Sequence, residues 1–361
     1  MIPTIPTSLI HYLQLPNQEE ACQLLSNGLI NQTWICKTPL YESPVVLQQI
    51  NQHVFKKPLE VVHNHRLIYE TWQQQESNYS FKIAAPLPFP DHTFIFFDEM
   101  GQAWRMQELI ADTVSITKPT HLKQLFEAAR CFGEFARMTQ KINSQALFST
   151  LDNFHNLRYR YEQFQTSKTT GNTDRINQGA SLISQLENRI KYVSQFDIIT
   201  QSTLQFPERI RHHDAKIANL LFYKSSHKVA AILDLDTTMP GYFFSDLGDM
   251  IRSMAGKTDE NHTTLQDIGI DEVAYDTIIK GYQSSLENYS TPEENTWIHW
   301  SGIWIIYMQC IRFITDYFSN DHYYRIEYPQ QNWDRAWNQF YLLKSLEKHL
   351  YQKFNFDPLN T

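Results

Sequence analysis

The feature that most constrains the fold is a pair of short apolar runs late in the 361-residue chain. These runs, Leu220 to Tyr223 and Val229 to Leu233, flank the polar segment 224–228. Two runs of this length around a polar turn predict a β-hairpin. The polar residues that adjoin the hairpin are His212, Asp214, Lys216 and Asn219 before it and Asp234 after it. Because a hairpin returns the chain to its starting edge, the pattern predicts two carboxylates and an amide at one edge.

This set has the composition that phosphoryl transfer from a nucleotide requires. One carboxylate accepts the proton of the attacking hydroxyl, while a second carboxylate and an amide oxygen hold the magnesium that neutralises the phosphates. Protein kinases place these groups in a His-x-Asp-x-x-x-x-Asn loop and in an Asp beyond it. The spacing here predicts Asp214 as catalytic base, Lys216 as a cation for the transferred phosphate, and Asn219 and Asp234 as magnesium ligands. A surface loop with scattered charges is the alternative.

At these residues the chain resembles the aminoglycoside phosphotransferase and choline kinase superfamily, which has a protein-kinase-like fold. Within it, the chain most resembles the N-acetylhexosamine 1-kinase branch, at HHDAKIANLLF, ILDLDTTMPG and DLGDMIR. The resemblance implies an α+β fold with two lobes: a small antiparallel-sheet lobe for the nucleotide over residues 1–110, and a larger helical lobe for catalysis and acceptor binding over residues 111–361. It also implies ATP and Mg²⁺ as cofactors, and transfer to the anomeric hydroxyl of a free N-acetylhexosamine.

The resemblance extends to residues that hold the acceptor. In that branch a Thr three residues after the metal-binding Asp holds the sugar, and an Arg and a downstream Tyr reach it from a later helix. The matching positions here, besides Asp214, are Thr237, Arg312 and Tyr323. Since an unpaired charge in an apolar helix is costly, an ion pair between Arg312 and Asp316, one helical turn away, is the structural alternative.

The nucleotide side has a similar match near the N-terminus. The stretch SNGLINQTWICK and the following VVLQQI predict two strands joined by a turn. The branch carries a similar Gly-x-Ile-Asn-x-Thr stretch and a Leu-Gln-Gln strand, and Trp104-Arg105 matches its Trp-Arg pair before the connector 106–110, whose backbone faces the adenine. The positions that this resemblance implies for nucleotide contacts are Gly28, Asn31, Thr33, Gln48 and Glu108.

Three positions depart from the expected pattern. Gln48 stands where protein kinases have a strand lysine that pairs with the phosphates, so charge compensation rests more on magnesium and Lys216. For the same reason Glu70 is not assigned the usual ion pair with that lysine. Leu29 replaces a sugar-contacting His, and Gln309 replaces a Glu. Because a lost hydrogen-bond donor can change specificity strongly, the preferred sugar stays open.

Other functions stay open beside the sugar kinase. One is a phosphotransferase for another small hydroxyl acceptor, such as a different hexose, choline or an aminoglycoside. Arg312 disfavours a polycationic aminoglycoside, whereas the abundant aromatic residues could supply a cage for choline. A catalytically dead kinase-like binding protein is the other alternative; Gln48 motivates it, and intact Asp214, Asn219 and Asp234 disfavour it.

Composition limits the partners and the compartment. A net charge of −8 without a long basic run argues against nucleic-acid binding. The most apolar window, 297–317, contains charged residues and predicts a buried helix rather than a membrane span, and no secretory signal is apparent. The cysteines show no ligand spacing and predict free thiols in a reducing cytoplasm; they are Cys22, Cys36, Cys131 and Cys310. The expected partners are therefore ATP and a small sugar.

Hydrophobic periodicity predicts the remaining elements. Strands are predicted over 32–37, 45–50, 83–87, 93–98 and 103–110. Helices are predicted within 7–25 and over 58–75, 121–142, 179–196, 271–288, 292–318 and 333–349, with another beginning at Asp246. Residues 111–120 are predicted to be a linker, and 165–178 a mobile loop. Asp246 is expected to cap its helix or to brace the catalytic loop.

Overall fold

The computed structural model describes residues 4–16, 21–25, 30–75, 78–286 and 289–360. The strands are β1 (Cys22–Leu25), β2 (Gln32–Cys36), β3 (Val45–Gln49), β4 (Lys82–Ile83), β5 (Pro86–Leu87), β6 (Phe96–Phe97), β7 (Ala103–Glu108), β8 (Thr113–Ser115), β9 (Arg209–Arg211), β10 (Leu220–Tyr223), β11 (Val229–Ile232) and β12 (Met239–Gly241). The α-helices are α1 (Thr7–Tyr12), α2 (Pro58–Gln73), α3 (Leu122–Thr139), α4 (Leu157–Thr170), α5 (Thr173–Gln178), α6 (Ala180–Glu187), α7 (Lys191–Gln201), α8 (Phe244–Met254), α9 (Glu272–Gln283), α10 (Pro292–Thr296), α11 (Trp300–Phe318) and α12 (Gln331–Phe354). The predicted α+β class is confirmed.

The chain forms two compact units, each of which draws on three segments. The first unit contains Met1–Ile116, Met138–Asp152 and Asn219–Pro240. The second unit contains Thr117–Arg137, Asn153–Ala218 and Gly241–Thr361. These units group contacting segments and are not the consecutive lobes proposed from the sequence, so a lobe boundary between residues 110 and 111 stays a prediction.

An antiparallel sheet forms the frame of the first unit. Its strand order is β1-β2-β3-β7-β5, and β6 also pairs with β7. The register places Thr33 opposite Gln48 and Gln48 opposite Arg105. Directly opposed residues share one face of a sheet, so these three polar side chains form a row across β2, β3 and β7. The adjacent row, Trp34–Leu47–Met106, is buried in the core of the unit, as the alternation of side chains along a strand requires.

A second sheet in this unit contains the predicted hairpin. Strands β10 and β11 pair antiparallel from Leu220 opposite Ile232, which confirms the predicted hairpin. The sheet continues from β10 to β8, with Leu221 opposite Ser115. The linker predicted over 111–120 is therefore wrong in part. A three-residue edge strand is too short to show periodicity, and its pairing partner lies more than 100 positions away in the sequence.

Helix α11 lies at the centre of the second unit. Its large aromatic residues are buried, and their polar atoms are paired: Trp304 Nε1 donates to Tyr192 O at 2.9 Å, and Tyr307 Oη donates to Leu186 O at 2.8 Å. The buried helix predicted for the most apolar window is confirmed. Within the described ranges, no helix is both long enough and apolar enough to cross a membrane.

Helices α8 and α11 of this unit approach each other at a glycine. A Cβ atom added to Gly248 would lie 2.4 Å from both Ser301 O and Ile305 Cγ1. A separation this short leaves no room for any side chain, so glycine is required for the close approach of the two helices.

The mobile loop predicted over 165–178 is wrong. Helix α4 extends through Thr170, and α5 begins at Thr173, where the Asn172 side chain accepts hydrogen bonds from the N–H groups of Asp174 and Arg175. Arg175 also forms an ion pair with Asp321 at 2.5 Å and lies over the ring of Tyr317. The apolar periodicity that reveals other helices is weak here, because capping and charged contacts stabilise this region instead of an extended apolar face.

The N-terminal prediction is also corrected in part. Helix α1 lies within 7–25 as predicted, but Cys22–Leu25 forms strand β1. Cys22 pairs directly with Cys36 on β2, and the two residues form a disulfide with a Cα–Cα distance of 4.2 Å. The expectation of free thiols is therefore wrong for this pair, while Cys131 and Cys310 are free and buried. Strand register decides this pairing, and cysteine spacing alone does not reveal it.

Candidate active site

The loop between β9 and β10, in the second unit, carries the predicted catalytic base. Asp214 Oδ2 lies 2.7 Å from Lys216 Nζ, and both side chains are partly exposed. Asp246, in the first turn of α8, accepts hydrogen bonds from the backbone N–H groups of His212 at 3.2 Å and His213 at 2.9 Å. The bracing role expected for Asp246 is confirmed. The capping role is wrong, because α8 begins at Phe244 and its N-cap position has no side-chain hydrogen bond.

Close contacts hold His213 in a single backbone and side-chain conformation in this loop. Its backbone is in the left-handed region, with φ of 64°, and a Cβ added to Gly241 would lie 2.4 Å from His213 Cε1. The Oγ of Ser245 lies 2.9 Å from His213 Nδ1 and 2.7 Å from His155 Nδ1. Burial, with a smaller effect of His213, holds the pKa of His155 well below its usual value. His155 is therefore neutral near pH 7.

A pocket in the second unit combines charged and polar side chains. Its polar lining is His155, His213, Asp214, Asp249, Arg252, Gln309 and Arg312. Arg252 Nε lies 3.2 Å from Asp249 Oδ1, and Arg252 Nη1 lies 3.1 Å from Glu260 Oε2. Burial raises the pKa of Asp249 to about 6, with Asp214 adding to the rise and Arg252 opposing it. Such a lining offers donors and acceptors to a molecule rich in hydroxyl groups.

Asp249 and Arg252 were not among the predicted site residues. Both lie on α8, three positions apart, so one face of the helix presents them together. The sequence signal for them is the stretch DLGDMIR, which contains both residues.

Arg312 on α11 is held by polar and aromatic groups. Its Nη1 donates to Gln309 Oε1 at 3.2 Å, and its Nη2 donates to Tyr323 Oη at 3.3 Å. The guanidinium carbon also lies 5.3 to 5.6 Å from the ring centroids of Phe154, Tyr323 and Tyr324. Contacts of this kind stabilise a cation without neutralising it. The structure thus brings two predicted acceptor residues, Arg312 and Tyr323, into direct contact.

The structural alternative for Arg312 is wrong. Asp316 accepts hydrogen bonds from the backbone N–H groups of Tyr323 at 2.8 Å and Tyr324 at 2.9 Å, and from Asn332 Nδ2 at 2.9 Å. Its carboxylate is used to hold the segment that carries Tyr323, so it is not the partner of Arg312.

The two predicted magnesium ligands, Asn219 and Asp234, lie at the base of the hairpin in the first unit. The backbone N–H of Leu233 donates to Asn219 O at 2.8 Å, which places Asp234 next to Asn219. Asp234 is in the left-handed region, with φ of 56°, and precedes the 3₁₀ turn Leu235–Thr237. A carboxylate and an amide oxygen are the ligands that Mg²⁺ takes from protein, while water and phosphate oxygens complete its octahedron. The donor groups of these two residues therefore suit a magnesium ion. The predicted acceptor residue Thr237, three positions after Asp234, is buried.

The polar row of the first sheet is one hydrogen-bonded network. Gln48 Nε2 donates to Thr33 Oγ1 at 3.0 Å, and Arg105 Nε donates to Gln48 Oε1 at 2.9 Å. Asp236 extends the network: its Oδ1 lies 2.6 Å from Arg105 Nη1, and its Oδ2 accepts from Asn31 Nδ2 at 2.7 Å. The network thus joins three predicted nucleotide-binding residues, Asn31, Thr33 and Gln48, to a buried ion pair that the sequence analysis missed.

Glu108, another predicted nucleotide position, lies apart from this network. Glu108 is exposed at the end of β7, and its Oε2 accepts from the N–H of Ala85 at 3.3 Å. Gly28 and Leu29 lie outside the described residues. Glu70, to which no ion pair with a strand cation was assigned, is exposed and lies 3.5 Å from Arg66.

His65 on α2 is buried in the same unit and donates from Nε2 to Ala84 O at 2.9 Å. Burial, with a contribution from Arg105, lowers its pKa to about 4, so the folded protein binds this proton only below the range in which an unfolded histidine does. Stability should therefore fall as the pH drops from about 6.5 to 4.

Between pH 7 and pH 5 the free energy of unfolding of the parent should fall by about 2 kcal/mol more than that of His65→Gln. Urea unfolding at both pH values measures this difference, and equal losses would contradict it.

Comparison with known proteins places the chain in a family. A family model described as the phosphotransferase enzyme family matches residues 22–275, which include the predicted catalytic loop and hairpin. The chain belongs to the phosphotransferase enzyme family. Membership agrees with the chemistry expected of Asp214, Asn219 and Asp234.

Solved structures extend the likeness of this phosphotransferase to nearly its whole length. An aminoglycoside phosphotransferase from Alicyclobacillus acidocaldarius has 12% identity, 98% coverage of both chains and a TM-score of 0.62. A microcompartment-associated aminopropanol kinase has 13% identity, 96% coverage of both chains and a TM-score of 0.62. The AMP-bound spectinomycin phosphotransferase has 9% identity, covers 97% of this chain and 100% of its own, and has a TM-score of 0.55. This likeness confirms the predicted kinase-like α+β fold.

Proposed function

We propose that this phosphotransferase is an ATP- and Mg²⁺-dependent kinase of free N-acetylhexosamines, GlcNAc or GalNAc, which phosphorylates the anomeric hydroxyl and yields the sugar 1-phosphate. The observation that carries this proposal is the pocket of the second unit, where Asp214 and Arg312 line one cavity together with Asp249 and Gln309. A reducing sugar presents hydroxyl and acetamide groups that can pair with carboxylate, amide and guanidinium groups.

The first unit carries the residues that we propose bind the nucleotide and its magnesium ion. The AMP-bound state of the spectinomycin phosphotransferase supports an adenine nucleotide as the donor. Asn219 and Asp234 are the proposed magnesium ligands, and the ion would neutralise phosphate charge. Asn31, Thr33 and Gln48 are proposed to contact the nucleotide with Gly28 and Glu108, and Thr237 to contact the acceptor.

Asp214 and Lys216 perform the transfer step in this proposal. The anomeric oxygen attacks the terminal phosphorus, the bond from phosphorus to the departing ADP oxygen breaks, and Asp214 receives the hydroxyl proton. Lys216, whose Nζ lies 2.7 Å from Asp214 Oδ2, pairs with this carboxylate and supplies positive charge for the transferred phosphoryl oxygens. Because the transition state is loose, the positions of these groups matter more than the strength of the base.

A panel of acceptors tests the proposed specificity. The purified protein is incubated with ATP, Mg²⁺ and one acceptor at a time, from GlcNAc, GalNAc, glucose, galactose, choline, an amino alcohol and an aminoglycoside, while ADP release is followed. We expect the highest kcat/KM with an N-acetylhexosamine and a phosphorus NMR signal of a sugar 1-phosphate. Preference for any other acceptor, or phosphorylation at another hydroxyl, would reject the assignment. If no acceptor in the panel led to ADP release, the result would support the kinase-like binding protein instead.

Arg312→Ala separates acceptor binding from nucleotide binding. Loss of a charged hydrogen-bond donor should raise the KM for the sugar about 10- to 100-fold and change the KM for ATP less than about twofold. Arg325→Ala is the matched control, since Arg325 is an exposed arginine on the segment after Tyr323. Steady-state kinetics with each substrate varied in turn measures both constants. A larger effect on ATP would place Arg312 on the nucleotide side.

A further inference from the structure

The neutral residue Gln48 leaves the position of the usual kinase lysine without a charge, and the neighbouring strand supplies one. Arg105 on β7 is directly opposite Gln48 on β3, so both side chains project from the same face of the sheet. Its Nε donates to Gln48 Oε1 at 2.9 Å. The guanidinium therefore lies one strand away from the place where a lysine at position 48 would begin.

The charge of Arg105 is fixed in place by a buried carboxylate. Arg105 is 4% exposed and Asp236 is fully buried, with 2.6 Å between Nη1 and Oδ1. Asn31 Nδ2 donates to the second oxygen of Asp236 at 2.7 Å. In protein kinases the strand lysine is likewise paired with a glutamate, whereas here the one glutamate considered for that role, Glu70, is exposed and pairs with Arg66.

Arg105 also lines the cavity that contains the proposed metal ligand. The polar residues around this cavity are His65, Arg105, Gln107 and Asp234. A polyphosphate requires both a cation and a carboxylate that holds magnesium, and the lining of this cavity contains a residue of each kind. The cation can pair with phosphate oxygens that the metal does not bind. All the residues that line this cavity belong to the first unit.

We propose that Arg105, held by Asp236 and Gln48, is the phosphate-binding cation of this protein and replaces the strand lysine of protein kinases. The inference depends on the proposed use of a nucleotide and is independent of which acceptor is phosphorylated. A guanidinium can contact two phosphate oxygens in one plane, so Arg105 would orient the nucleotide phosphates as well as neutralise them.

Calorimetric binding of ADP, AMP and adenosine, each in the presence of Mg²⁺, tests this role without any acceptor. Arg105→Gln should weaken ADP binding about 10- to 100-fold and leave adenosine binding within about threefold of the parent. Arg66→Gln is the matched control, because it removes the same charge from an exposed position in the same unit. Equal losses for ADP and adenosine would indicate a purely structural role and overturn the proposal, as would an ADP loss no larger than that of Arg66→Gln.

A charge relocation addresses the possibility that Arg105→Gln does not fold. Gln48→Lys/Arg105→Gln returns the cation to the usual strand, and its fold is checked by circular dichroism and thermal unfolding. We expect its ADP affinity to lie within about tenfold of the parent, with adenosine unchanged. A folded double variant that binds ADP no better than adenosine would overturn the proposal. Since no sugar is present, failure of the acceptor panel with normal ADP binding would count against the proposed function alone.

Discussion

Asp214→Asn should lower kcat for sugar phosphorylation by about 10²- to 10⁴-fold, because the amide cannot accept the proton of the attacking hydroxyl. The change preserves the shape of the side chain but removes the charge that lies 2.7 Å from Lys216 Nζ. Substrate binding depends mainly on other residues, so the KM values for ATP and sugar should change much less than kcat. ADP release at saturating substrates measures the loss.

The matched control for this variant is Asp152→Asn, which removes the same charge at an exposed position. It should retain the parent kcat. Thermal unfolding of both variants separates a loss of chemistry from a loss of fold. If Asp214→Asn turned over as fast as the parent, Asp214 would not be the base, and the pocket around it would have to serve a different reaction.

Asp234→Asn should reduce kcat/KM on the order of 10³-fold, since it replaces one of the two protein ligands proposed for magnesium, and a metal contributes several kcal/mol to charge stabilisation. The backbone at position 234 is left-handed, a conformation that asparagine also tolerates, so the fold should be retained. The variant should need more Mg²⁺ for half-maximal activity. Titration of ADP binding with Mg²⁺ provides a second measurement that does not require turnover.

Asp112→Asn is a close control for this change. Asp112 is an exposed aspartate in the same left-handed conformation, with φ of 57°, so the pair tests the same substitution on the same backbone geometry. Its magnesium dependence should equal that of the parent. An unchanged magnesium dependence in Asp234→Asn would remove Asp234 from the metal site.

The parts of the site that could be predicted from sequence are those encoded by short-range patterns. The hairpin of β10 and β11 follows from two apolar runs around a polar turn, and the bond from Leu233 N to Asn219 O is a consequence of hairpin geometry. Arg312 and Tyr323 were found through resemblance, and their contact at 3.3 Å could not be derived from periodicity. Their roles toward a nucleotide or a sugar stay predictions until the variants are measured.

The parts that were missed depend on register and on contacts between distant segments. The ion pair of Arg105 with Asp236 joins residues 131 positions apart, on strand β7 and on the 3₁₀ turn after β11. The disulfide of Cys22 and Cys36 forms where the register of β1 and β2 places the two residues opposite each other. Periodicity does not reveal helix α5, because capping by Asn172 and the ion pair of Arg175 replace an apolar face.

The glycine contact between α8 and α11 has a consequence for the size of the molecules that this pocket can accommodate. Helix α8 presents Asp249 and Arg252 to the pocket, and α11 presents Gln309 and Arg312. Because Gly248 brings the main chain of α8 against Ser301 O, the two walls cannot move closer, and their spacing is set by backbone atoms rather than by rotamers. Selection for a bulkier or smaller ligand of this pocket would therefore act by exchanging individual lining side chains, such as Met308 or Gln309, while the distance between the helices stays constant.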